Sequence, residues 1–267
     1  MPSVVLVVAG SDSGGGAGIQ ADVRTLAAHG VFATTAITAL TAQNTLGVAS
    51  SFVVPPEVVA AQIDAVLADF GLGATKTGML ASAEIIEVVA SRAAAGVLPA
   101  LVIDPVMVAS SGDRLLEPDA ERAYLEQLFP HAVLVTPNLG EAAALLGRPV
   151  ASVSDMGDAA RDLAETGARA VLVKGGHLVA DSSVDVLWDG KSLHRLHAPR
   201  VPTHNVHGTG CSLASAIAAG LSQGQDLRVA VEAAKRYVHR GLVSSAEWSL
   251  GQGHGPIDHF AKDPSSF

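Results

Sequence analysis

Apolar residues along the chain alternate between short continuous runs and longer stretches with helical spacing. Residues 4–9 form a nearly continuous, Val-rich apolar run, which favours a strand covered on both faces. Residues 19–29 place apolar side chains at helical spacing and stop at Gly30, a plausible helix C-terminus. A β-branched run over 32–40 follows. The start of the chain therefore predicts a strand, a helix and a second strand.

The same alternation continues to the end of the chain. Further helices are predicted from Pro56, from Ser82 to Ala95, from Pro118, over 155–166 with Ser154 as cap, over 212–219 and from 227 to about 245. Further strands are predicted over 101–103, 133–135 and 170–173, and the segments 184–188 and 192–197 flank the hairpin signal Asp189-Gly190. This order predicts one α/β domain over residues 1–267, with a mostly parallel central sheet and helices on both faces. Ligands of such sheets bind beyond the carboxyl ends of the strands.

Composition narrows the partners that the chain can have. Lys and Arg total 17 against 26 Asp and Glu, giving a formal net charge of -9 without a basic stripe. The diffuse cationic surface that binds nucleic acid or anionic membranes is therefore not expected. The lone cysteine has no partner for a disulfide, and the apolar N-terminal run lacks the flanks of a signal peptide. We expect a cytoplasmic protein that binds small molecules.

The first glycine-rich loop, residues 10–18, lies between the first strand and the first helix. Glycines let the backbone approach a ligand, and a helix N-terminus favours anions. The segment 16–21 also matches the dinucleotide pattern G-x-G-x-x-A, but the acidic residue expected about 20 positions later is missing, because Glu57 is the next one after Asp22. A tight strand–helix turn and a substrate-binding turn both remain open.

A second glycine loop, His207 followed by Gly208, Thr209, Gly210 and Cys211, precedes an Ala-rich helix. Successive amides at a helix start favour an anion nest that stabilises charge on a transferring phosphoryl group. Cys211 would lie in the first turn, where the helix dipole lowers a thiol pKa. The alternative is a small buried cysteine beside a packing loop.

Polar residues follow three later predicted strands. Asn138 and Glu141 are three apart at a helix start, which suits either a shared ligand such as Mg²⁺ or a capping box. Asp104 ends the 101–103 strand, near any bound metal, or else forms an Asx turn. Lys174 leaves the 170–173 strand as a possible phosphate contact or an ordinary surface lysine.

Gln43 stands at the predicted end of the second strand. Its carboxamide offers a donor and an acceptor side by side, which can pair with the ring nitrogen and amino group of an aminopyrimidine. A solvated loop glutamine is the alternative. The ten histidines are scattered and indicate no metal site.

Several motifs in this order resemble those of bacterial hydroxymethylpyrimidine/phosphomethylpyrimidine kinases. They are AGSDSGGGAGIQAD, TALTAQNT, KTGML, DPVMVASSGD, TPNLGEA, VLVKGGH and HGTGCSLASAIAA. The resemblance implies a ribokinase-like α/β fold without the separate lid of the sugar kinases, usually as a homodimer. It also implies ATP, Mg²⁺ and two successive phosphorylations, of a hydroxymethylpyrimidine and of its monophosphate, in thiamine biosynthesis.

The resemblance also implies roles for individual residues. Substrate-binding positions are Gln43, Gly10, Ala17, Asp22, Met79 and Val106. Asn138 and Glu141 match the Asn-x-x-Glu element that serves Mg²⁺ and phosphate, and Gly208 to Gly210 match the anion hole. The positions of the other residues, rather than the resemblance, add Lys174, Gly176 and Thr209 on the ATP side, Asp104 beside Glu141 at the metal (the latter directly or through water), and Thr209 and Cys211 in the catalytic group. Ribokinase-like sugar kinases have Asp where this chain has Cys211, which is similar to the pyrimidine-kinase branch and puts a carboxylate base in doubt.

Three other functions are compatible with parts of the sequence. The nearest is a pyridoxal kinase of the same superfamily, because pyridoxal also carries a hydroxymethyl group on a nitrogen ring. The others are a non-catalytic pyrimidine binder, which would leave Asn138, Glu141 and the Gly-Thr-Gly loop idle, and a dinucleotide oxidoreductase.

Overall fold

The computed structural model describes residues 1–107, 120–176 and 182–262. In chain order the strands are β1 (Val4–Asp12), β2 (Phe32–Asn44), β3 (Gly47–Val53), β4 (Ala74–Thr77), β5 (Leu101–Ile103), β6 (Leu134–Val135), β7 (Val171–Val173), β8 (Ser182–Trp188) and β9 (Leu193–Pro199). The helices are α1 (Gly18–Ala28), α2 (Pro56–Asp69), α3 (Ala83–Ala94), α4 (Ala120–Ala123), α5 (Leu139–Leu146), α6 (Val153–Ala164), α7 (Thr209–Ser222) and α8 (Leu227–Ser244). A π-helical turn, Tyr124–Leu128, and a 3₁₀ turn, Phe129–His131, continue α4.

The strands described form one sheet in the order β3-β2-β1-β4-β5-β6-β7-β8-β9. The six strands from β2 to β7 in this order pair in parallel, whereas β3, β8 and β9 join through antiparallel pairs at the two edges. The predicted mostly parallel sheet is therefore confirmed. Parallel strands share one carboxyl edge, so the loops that follow them meet there.

Helices cover both faces of the sheet because consecutive strand residues point to opposite sides. Leu6 and Val8 of β1 pack in the core under α2, α3 and α6, while Val5 and Val7 pack in a second core under α1, α7 and α8. All four side chains are fully buried. The apolar run predicted as a strand covered on both faces is confirmed.

Two strands escaped prediction because neither shows a continuous apolar run or a regular apolar alternation. β3 is an edge strand with mostly exposed residues, so no apolar alternation marks it. The central strand β4 consists of Ala74, Thr75, Lys76 and Thr77, all buried. A fully buried lysine needs a charged partner, and here that partner is remote in sequence. The local pattern of residues therefore does not reveal that 74–77 is a buried strand.

The predicted cap of α6 was wrong by two residues. Ser152, not Ser154, accepts a hydrogen bond from the Asp155 backbone N–H at 3.1 Å, and the Asp155 carboxylate accepts in return from the Ser152 N–H at 3.0 Å. Three residues after Ser154 stands Gly157, which has no side chain to complete such a box. Ser82 does cap α3, as predicted. The predicted helix start at Pro118 lies outside the described residues.

No helix in the described ranges is long and apolar enough to cross a bilayer.

Candidate active site

The loops after the parallel strands bring most of the predicted site residues to one edge of the sheet. From β2 across to β7, the strand ends carry Gln43, Asp12, Met79, Asp104, Asn138 and Lys174 in spatial order. The N-terminus of α7 reaches the same edge, since Gly210 lies close to both Lys174 and Asp104. The sheet order therefore places the predicted pyrimidine side near β1 and β2 and the predicted phosphate side near β5 to β7.

A small apolar wall lies on the pyrimidine side. Ala39, Met79 and Ala81 form a buried cluster against which Val106 packs. A Cβ on Gly10 would come within 3.0 Å of the Met79 sulfur, so the backbone of the first glycine loop lies directly against this wall. The structure thus brings Gly10, Met79 and Val106 together, as the resemblance implies.

The first glycine-rich loop is held by one carboxylate. Asp12 Oδ1 accepts from the Gly14 N–H at 2.8 Å, and Oδ2 accepts from the N–H groups of Gly16 and Ala17 at 3.0 and 2.8 Å. Burial alone would raise the pKa of Asp12, but hydrogen bonds from His207 and from the backbone of Ala17 and Gly14 outweigh it and lower the pKa. Asp12 is thus an ionised anchor for the loop, and Ala17 is the N-cap residue of α1.

Gln43 lies beside the second glycine loop, not out in solvent. Its Nε2 is 3.4 Å from His207 Nε2, and Thr41 Oγ1 is 3.2 Å from its Oε1. Gln43 is partly exposed. The geometry favours the ligand-facing alternative over a solvated loop residue.

The second glycine loop fits tightly against the first. Gly208 is the N-cap residue of α7 with φ +79°, and a Cβ there would collide with the carbonyl oxygen of Gly16. The helix starts at Thr209, three residues earlier than predicted, and the Thr209 hydroxyl donates to the Val206 carbonyl at 3.0 Å. The Thr209 N–H donates to the same Val206 carbonyl at 3.3 Å, and Gly210 and Cys211 follow in the half-buried first turn of this 14-residue helix, where backbone N–H groups favour an anion.

Lys174 is the centre of charge on the phosphate side. Its Nζ donates to Asp104 Oδ1 at 2.6 Å and lies 3.9 Å from Glu141 Oε2. Burial alone would lower the pKa of Lys174, but Asp104 and Glu141 outweigh burial and raise the pKa. Lys174 is therefore a partly buried cation rather than an ordinary surface lysine, and Asp104, which also accepts from the Thr136 hydroxyl at 3.2 Å, is 1% exposed.

The capping box predicted as one alternative for Asn138 and Glu141 is present, and it leaves the Glu141 carboxylate beside the predicted phosphate side. The two residues form a complete capping box at the start of α5, because Asn138 Oδ1 accepts from the Glu141 N–H and Glu141 Oε2 accepts from the Asn138 N–H. The box turns the Glu141 carboxylate toward Lys174 and Asp104. Capping is thus confirmed, and it also presents the carboxylate to the phosphate side.

Glu141 makes the fold sensitive to pH. Burial raises its pKa to about 7, against the opposing effect of Lys174. A carboxyl whose folded-state pKa is raised stabilises the fold in its protonated form, and this stabilisation is lost as pH rises through about 7. Glu141→Gln keeps an acceptor for the Asn138 N–H but cannot ionise. We therefore expect the variant to have a higher melting temperature than the wild type at pH 8. At pH 4.5 the two melting temperatures should be nearly the same.

Asp155→Asn provides the matched control for this prediction. Asp155 occupies the same box position in α6 but is only half-buried, and backbone and side-chain hydrogen bonds from Ala151 and Ser152 lower its pKa. Its stabilising effect is present above the unfolded pKa and is lost as pH falls, so Asp155→Asn should gain nothing at pH 8. A Glu141→Gln protein no more stable than wild type at pH 8 would contradict the account of Glu141.

The expectation of a thiolate at Cys211 is wrong for this structure. Burial raises the pKa of the Cys211 thiol to about 12, and the nearby charges of Asp22 and Asp104 add to this effect against that of Lys76. The prediction depended on the helix N-terminus and left out this desolvation, which is the largest cause of the shift. Cys211 is therefore a neutral thiol near neutral pH, which favours the alternative of a packing cysteine over a thiolate base.

Asp22 contacts a lysine and a serine rather than the open pocket. Its two oxygens accept from Lys76 Nζ at 3.0 and 2.9 Å, and Oδ1 also accepts from the Ser215 hydroxyl at 2.7 Å. Both side chains are 0% exposed, and burial raises the pKa of Asp22 against the opposing effects of Lys76 and Ser215. This pair links α1, β4 and α7 beneath the second glycine loop, so the implied substrate contact of Asp22 is corrected to an internal support.

Gly176 lies apart from this cluster. It is exposed, and its carbonyl accepts from Arg200 Nη2 at 3.1 Å, next to the start of the undescribed residues 177–181.

Sequence reasoning missed three residues that organise the site: Asp12, Lys76 and His207. Asp12 and His207 stand inside the two glycine loops, but nothing in either loop indicates that His207 Nε2 lies 2.9 Å from Asp12 Oδ2. Asp12 and His207 are 195 residues apart in the chain, so only the fold reveals that they form a pair.

The chain matches the family model for phosphomethylpyrimidine kinase over residues 12–258. It is 50% identical to the hydroxymethylpyrimidine/phosphomethylpyrimidine kinase of Rhizobium meliloti, with 97% of this chain and 98% of the relative covered. An ADP complex of Bacillus subtilis pyridoxal kinase superposes with a TM-score of 0.90 at 36% identity, covering 98% of both chains. The phosphomethylpyrimidine kinase of Clostridium difficile 630 superposes with a TM-score of 0.78 at 37% identity, covering 88% of this chain and 97% of the other.

These relatives are phosphotransferases, and one structural neighbour holds a nucleotide, so the alternatives of a non-catalytic binder and a dinucleotide oxidoreductase are set aside. The sheet described above and its single layer of helices on each face agree with a ribokinase-like fold. The chain belongs to the phosphomethylpyrimidine kinase family.

Proposed function

We propose that the enzyme transfers the γ-phosphoryl group of ATP to the hydroxymethyl group of 4-amino-5-hydroxymethyl-2-methylpyrimidine, and then to a phosphate oxygen of the resulting monophosphate. The products supply thiamine biosynthesis. The observation that carries the proposal is the carboxyl edge of the sheet, where Gln43 lies on one side of the second glycine loop and Lys174 on the other. The 50% identical relative with both activities in its name supports the choice of substrate.

The pyrimidine side of the site recognises the ring. We assign the edge contact to Gln43, whose carboxamide matches the ring nitrogen and amino group, and the apolar contacts to Gly10, Met79 and Val106, with Ala17 closing the loop. Losing a buried bidentate contact of this kind costs about 1–3 kcal/mol. Gln43→Ala should accordingly weaken pyrimidine binding by about one to two orders of magnitude and leave ATP binding near normal.

The phosphate side positions the nucleotide and spreads the developing charge. We assign the anion hole to the amides around Gly208, Thr209 and Gly210, and phosphate contacts to Lys174, with Asn138 and Gly176 on the nucleotide side. Phosphoryl transfer proceeds through a loose transition state, so alignment and charge neutralisation matter more than a strong base. This suits a site whose only thiol, Cys211, stays protonated near neutral pH.

Asp104 and Glu141 fit Mg²⁺ in the kind of ligand that they offer. The described residues contain no cluster of three His, Cys, Asp or Glu side chains able to cage a metal. Mg²⁺ in kinases is usually held by one or two carboxylates, waters and substrate phosphates, which these two carboxylates can complete. When bound, the ion would neutralise phosphate charge, and Glu141 would hold it directly or through water.

The substrate assignment is tested by comparing acceptors. The purified enzyme should show a higher kcat/KM for the hydroxymethylpyrimidine than for pyridoxal, with ATP and Mg²⁺ held constant. The structural likeness to pyridoxal kinases makes pyridoxal the acceptor to compare. A kcat/KM for pyridoxal far above that for the pyrimidine would overturn the assignment.

We also propose that the enzyme is a homodimer that pairs through its β3 edge. β3 ends the sheet, and Phe52 on it is 63% exposed beside its register partner Leu40 on β2, which is 48% exposed. An exposed apolar edge of this kind either binds a partner or promotes aggregation. A cytoplasmic location stays a prediction, supported by the use of ATP.

Phe52→Glu should convert the dimer to a monomer, because it places a charge in the apolar contact. Sedimentation velocity would measure the change. Phe260→Glu is the matched control, since Phe260 is 62% exposed and lies outside the sheet. A wild-type monomer, or a dimeric Phe52→Glu protein, would contradict this proposal.

A further inference from the structure

The carboxamide of Gln43 lies between two groups that fix its hydrogen-bonding direction. On one side Gln43 Nε2 is 3.4 Å from His207 Nε2, and on the other Gln43 Oε1 is 3.2 Å from the Thr41 hydroxyl. The two ends of a carboxamide have nearly the same shape, so its hydrogen-bond partners decide which end lies where.

His207 Nε2 is a donor in this site. It lies 2.9 Å from Oδ2 of Asp12, an ionised carboxylate that can only accept. His207 Nε2 therefore carries a hydrogen. If the amide nitrogen of Gln43 occupied the position 3.4 Å from Nε2, the N–H groups of His207 and Gln43 would be two donors next to each other.

Thr41 leads to the same conclusion independently. Its single hydroxyl hydrogen is directed to the Ser11 carbonyl at 2.9 Å, which is closer than Gln43 Oε1 at 3.2 Å. The Thr41 oxygen then has only lone pairs for Gln43, and it requires a donor from that side.

We propose that His207, held by Asp12, is a specificity-determining positioning residue that keeps the Gln43 carboxamide turned with its oxygen toward His207 and its nitrogen toward Thr41. The inference rests on the proposed function. In this orientation Oε1 accepts from the exocyclic amine of the pyrimidine on the His207 side, and Nε2 donates to the ring nitrogen on the Thr41 side.

This orientation bears directly on catalysis. In the proposed substrate the amino group lies between the ring nitrogen and the carbon that carries the hydroxymethyl group. Placing the amine on the His207 side therefore turns the hydroxymethyl group toward the residue that follows His207, which is Gly208 of the anion nest. The opposite orientation of Gln43 would place the ring nitrogen there and turn the hydroxymethyl group away.

The backbone around His207 makes the ring a fixed reference. The His207 N–H donates to the Gly255 carbonyl at 3.0 Å, and the residue is only 8% exposed. A Cβ on Gly16 would collide with the imidazole, so the first glycine loop closes over the ring. His207 is thus held by both loops and by the C-terminal segment.

The test compares two acceptors with opposite hydrogen-bonding patterns. One is the aminopyrimidine, and the other is its 4-oxo analogue, which has a carbonyl in place of the amine and an N–H at the adjacent ring position. His207→Leu, which removes the donor, should lower the kcat/KM preference for the amino acceptor by about tenfold, the equivalent of one hydrogen bond. His207→Gln, whose side-chain N–H can reach Asp12, should restore most of it.

Two controls separate this role from a structural one. His194→Leu removes a similar pair on the β8–β9 hairpin, where His194 Nε2 lies 2.7 Å from Asp189 Oδ2, and should leave the preference unchanged. In a Gln43→Ala background, His207→Leu should not change the preference further, because the two residues act through one contact. Equal losses on both acceptors in His207→Leu, with the preference unchanged, would overturn the proposal.

A measurement on the wild-type protein is independent of folding and activity in the variants. ¹⁵N NMR of histidine-labelled enzyme, with the His207 signal assigned from its loss in His207→Gln, should show hydrogen on Nε2. An unprotonated Nε2 would overturn the inference even if the variants did not fold. An enzyme that phosphorylates pyridoxal but neither pyrimidine would contradict the proposed function instead, and the Nε2 hydrogen would still decide the orientation of Gln43.

Discussion

Gly208→Ala is expected to lower kcat/KM by a factor of about 10²–10³, the loss that follows removal of one donor from an oxyanion-type hole. Gly208 has φ +79°, and an added Cβ would collide with the Gly16 carbonyl oxygen and lie 3.2 Å from the Ala17 Cα. Both obstacles are backbone atoms of the first glycine loop, so they cannot rotate aside. The two loops must separate, which moves the amides of Thr209 and Gly210 out of line.

Gly96→Ala is the control for the backbone effect alone. Gly96 has φ +72°, follows α3, and has no atom within 4 Å of an added Cβ. The left-handed conformation costs alanine roughly 1 kcal/mol there. Gly96→Ala should therefore lose a little thermal stability and keep full activity. If folded Gly208→Ala retained a third or more of wild-type kcat/KM, the anion nest would not be the catalytic element.

Lys76→Met is expected to lower the free energy of unfolding by about 3–5 kcal/mol. It leaves the Asp22 carboxylate fully buried with only the Ser215 hydroxyl as a side-chain partner. Burial alone would lower the pKa of Lys76, but Asp22, with Cys211 and Asp104 nearby, outweighs burial and raises it, so the wild-type lysine is charged. Urea unfolding at pH 7 would measure the difference.

Adding Asp22→Asn to Lys76→Met should recover much of that loss, because it removes the uncompensated charge. Arg228→Met is the surface control, since Arg228 and Glu232 are a pair of exposed side chains on α8. It should change stability by less than about 0.5 kcal/mol. A Lys76→Met protein within about 1 kcal/mol of wild type would contradict the account of the pair as the support under α7.

The sequence predicted the parts of the molecule that depend on local pattern. Val-rich runs such as residues 4–9 and helix stops such as Gly30 identify strands and helices because burial and capping act over a few residues. The same holds for the candidate site, because strand ends in a parallel sheet share one edge, so Gln43, Asp104, Asn138 and Lys174 could be expected together. The strand β4 escaped because its lysine is neutralised by Asp22, 54 residues away.

The charge states of the site could not be predicted from sequence. A cysteine at a helix start suggests a thiolate, yet the desolvation of Cys211 and the carboxylates near it decide its pKa. Asn138 and Glu141 suggest either a cap or a metal site, and only the structure shows that they form a capping box whose Glu141 carboxylate lies 3.9 Å from Lys174. These outcomes depend on distances between segments that are remote in sequence.

The most direct test of the central claim is a time course with purified enzyme, the hydroxymethylpyrimidine, ATP and Mg²⁺, in which mono- and diphosphate products are resolved. The account predicts that the monophosphate forms first and is converted to the diphosphate, with one ATP consumed at each step. Cys211→Ser should change both rates by similar factors, since the neutral thiol is not a base for either step. Absence of ATP-dependent monophosphate from the folded wild-type protein would contradict the account.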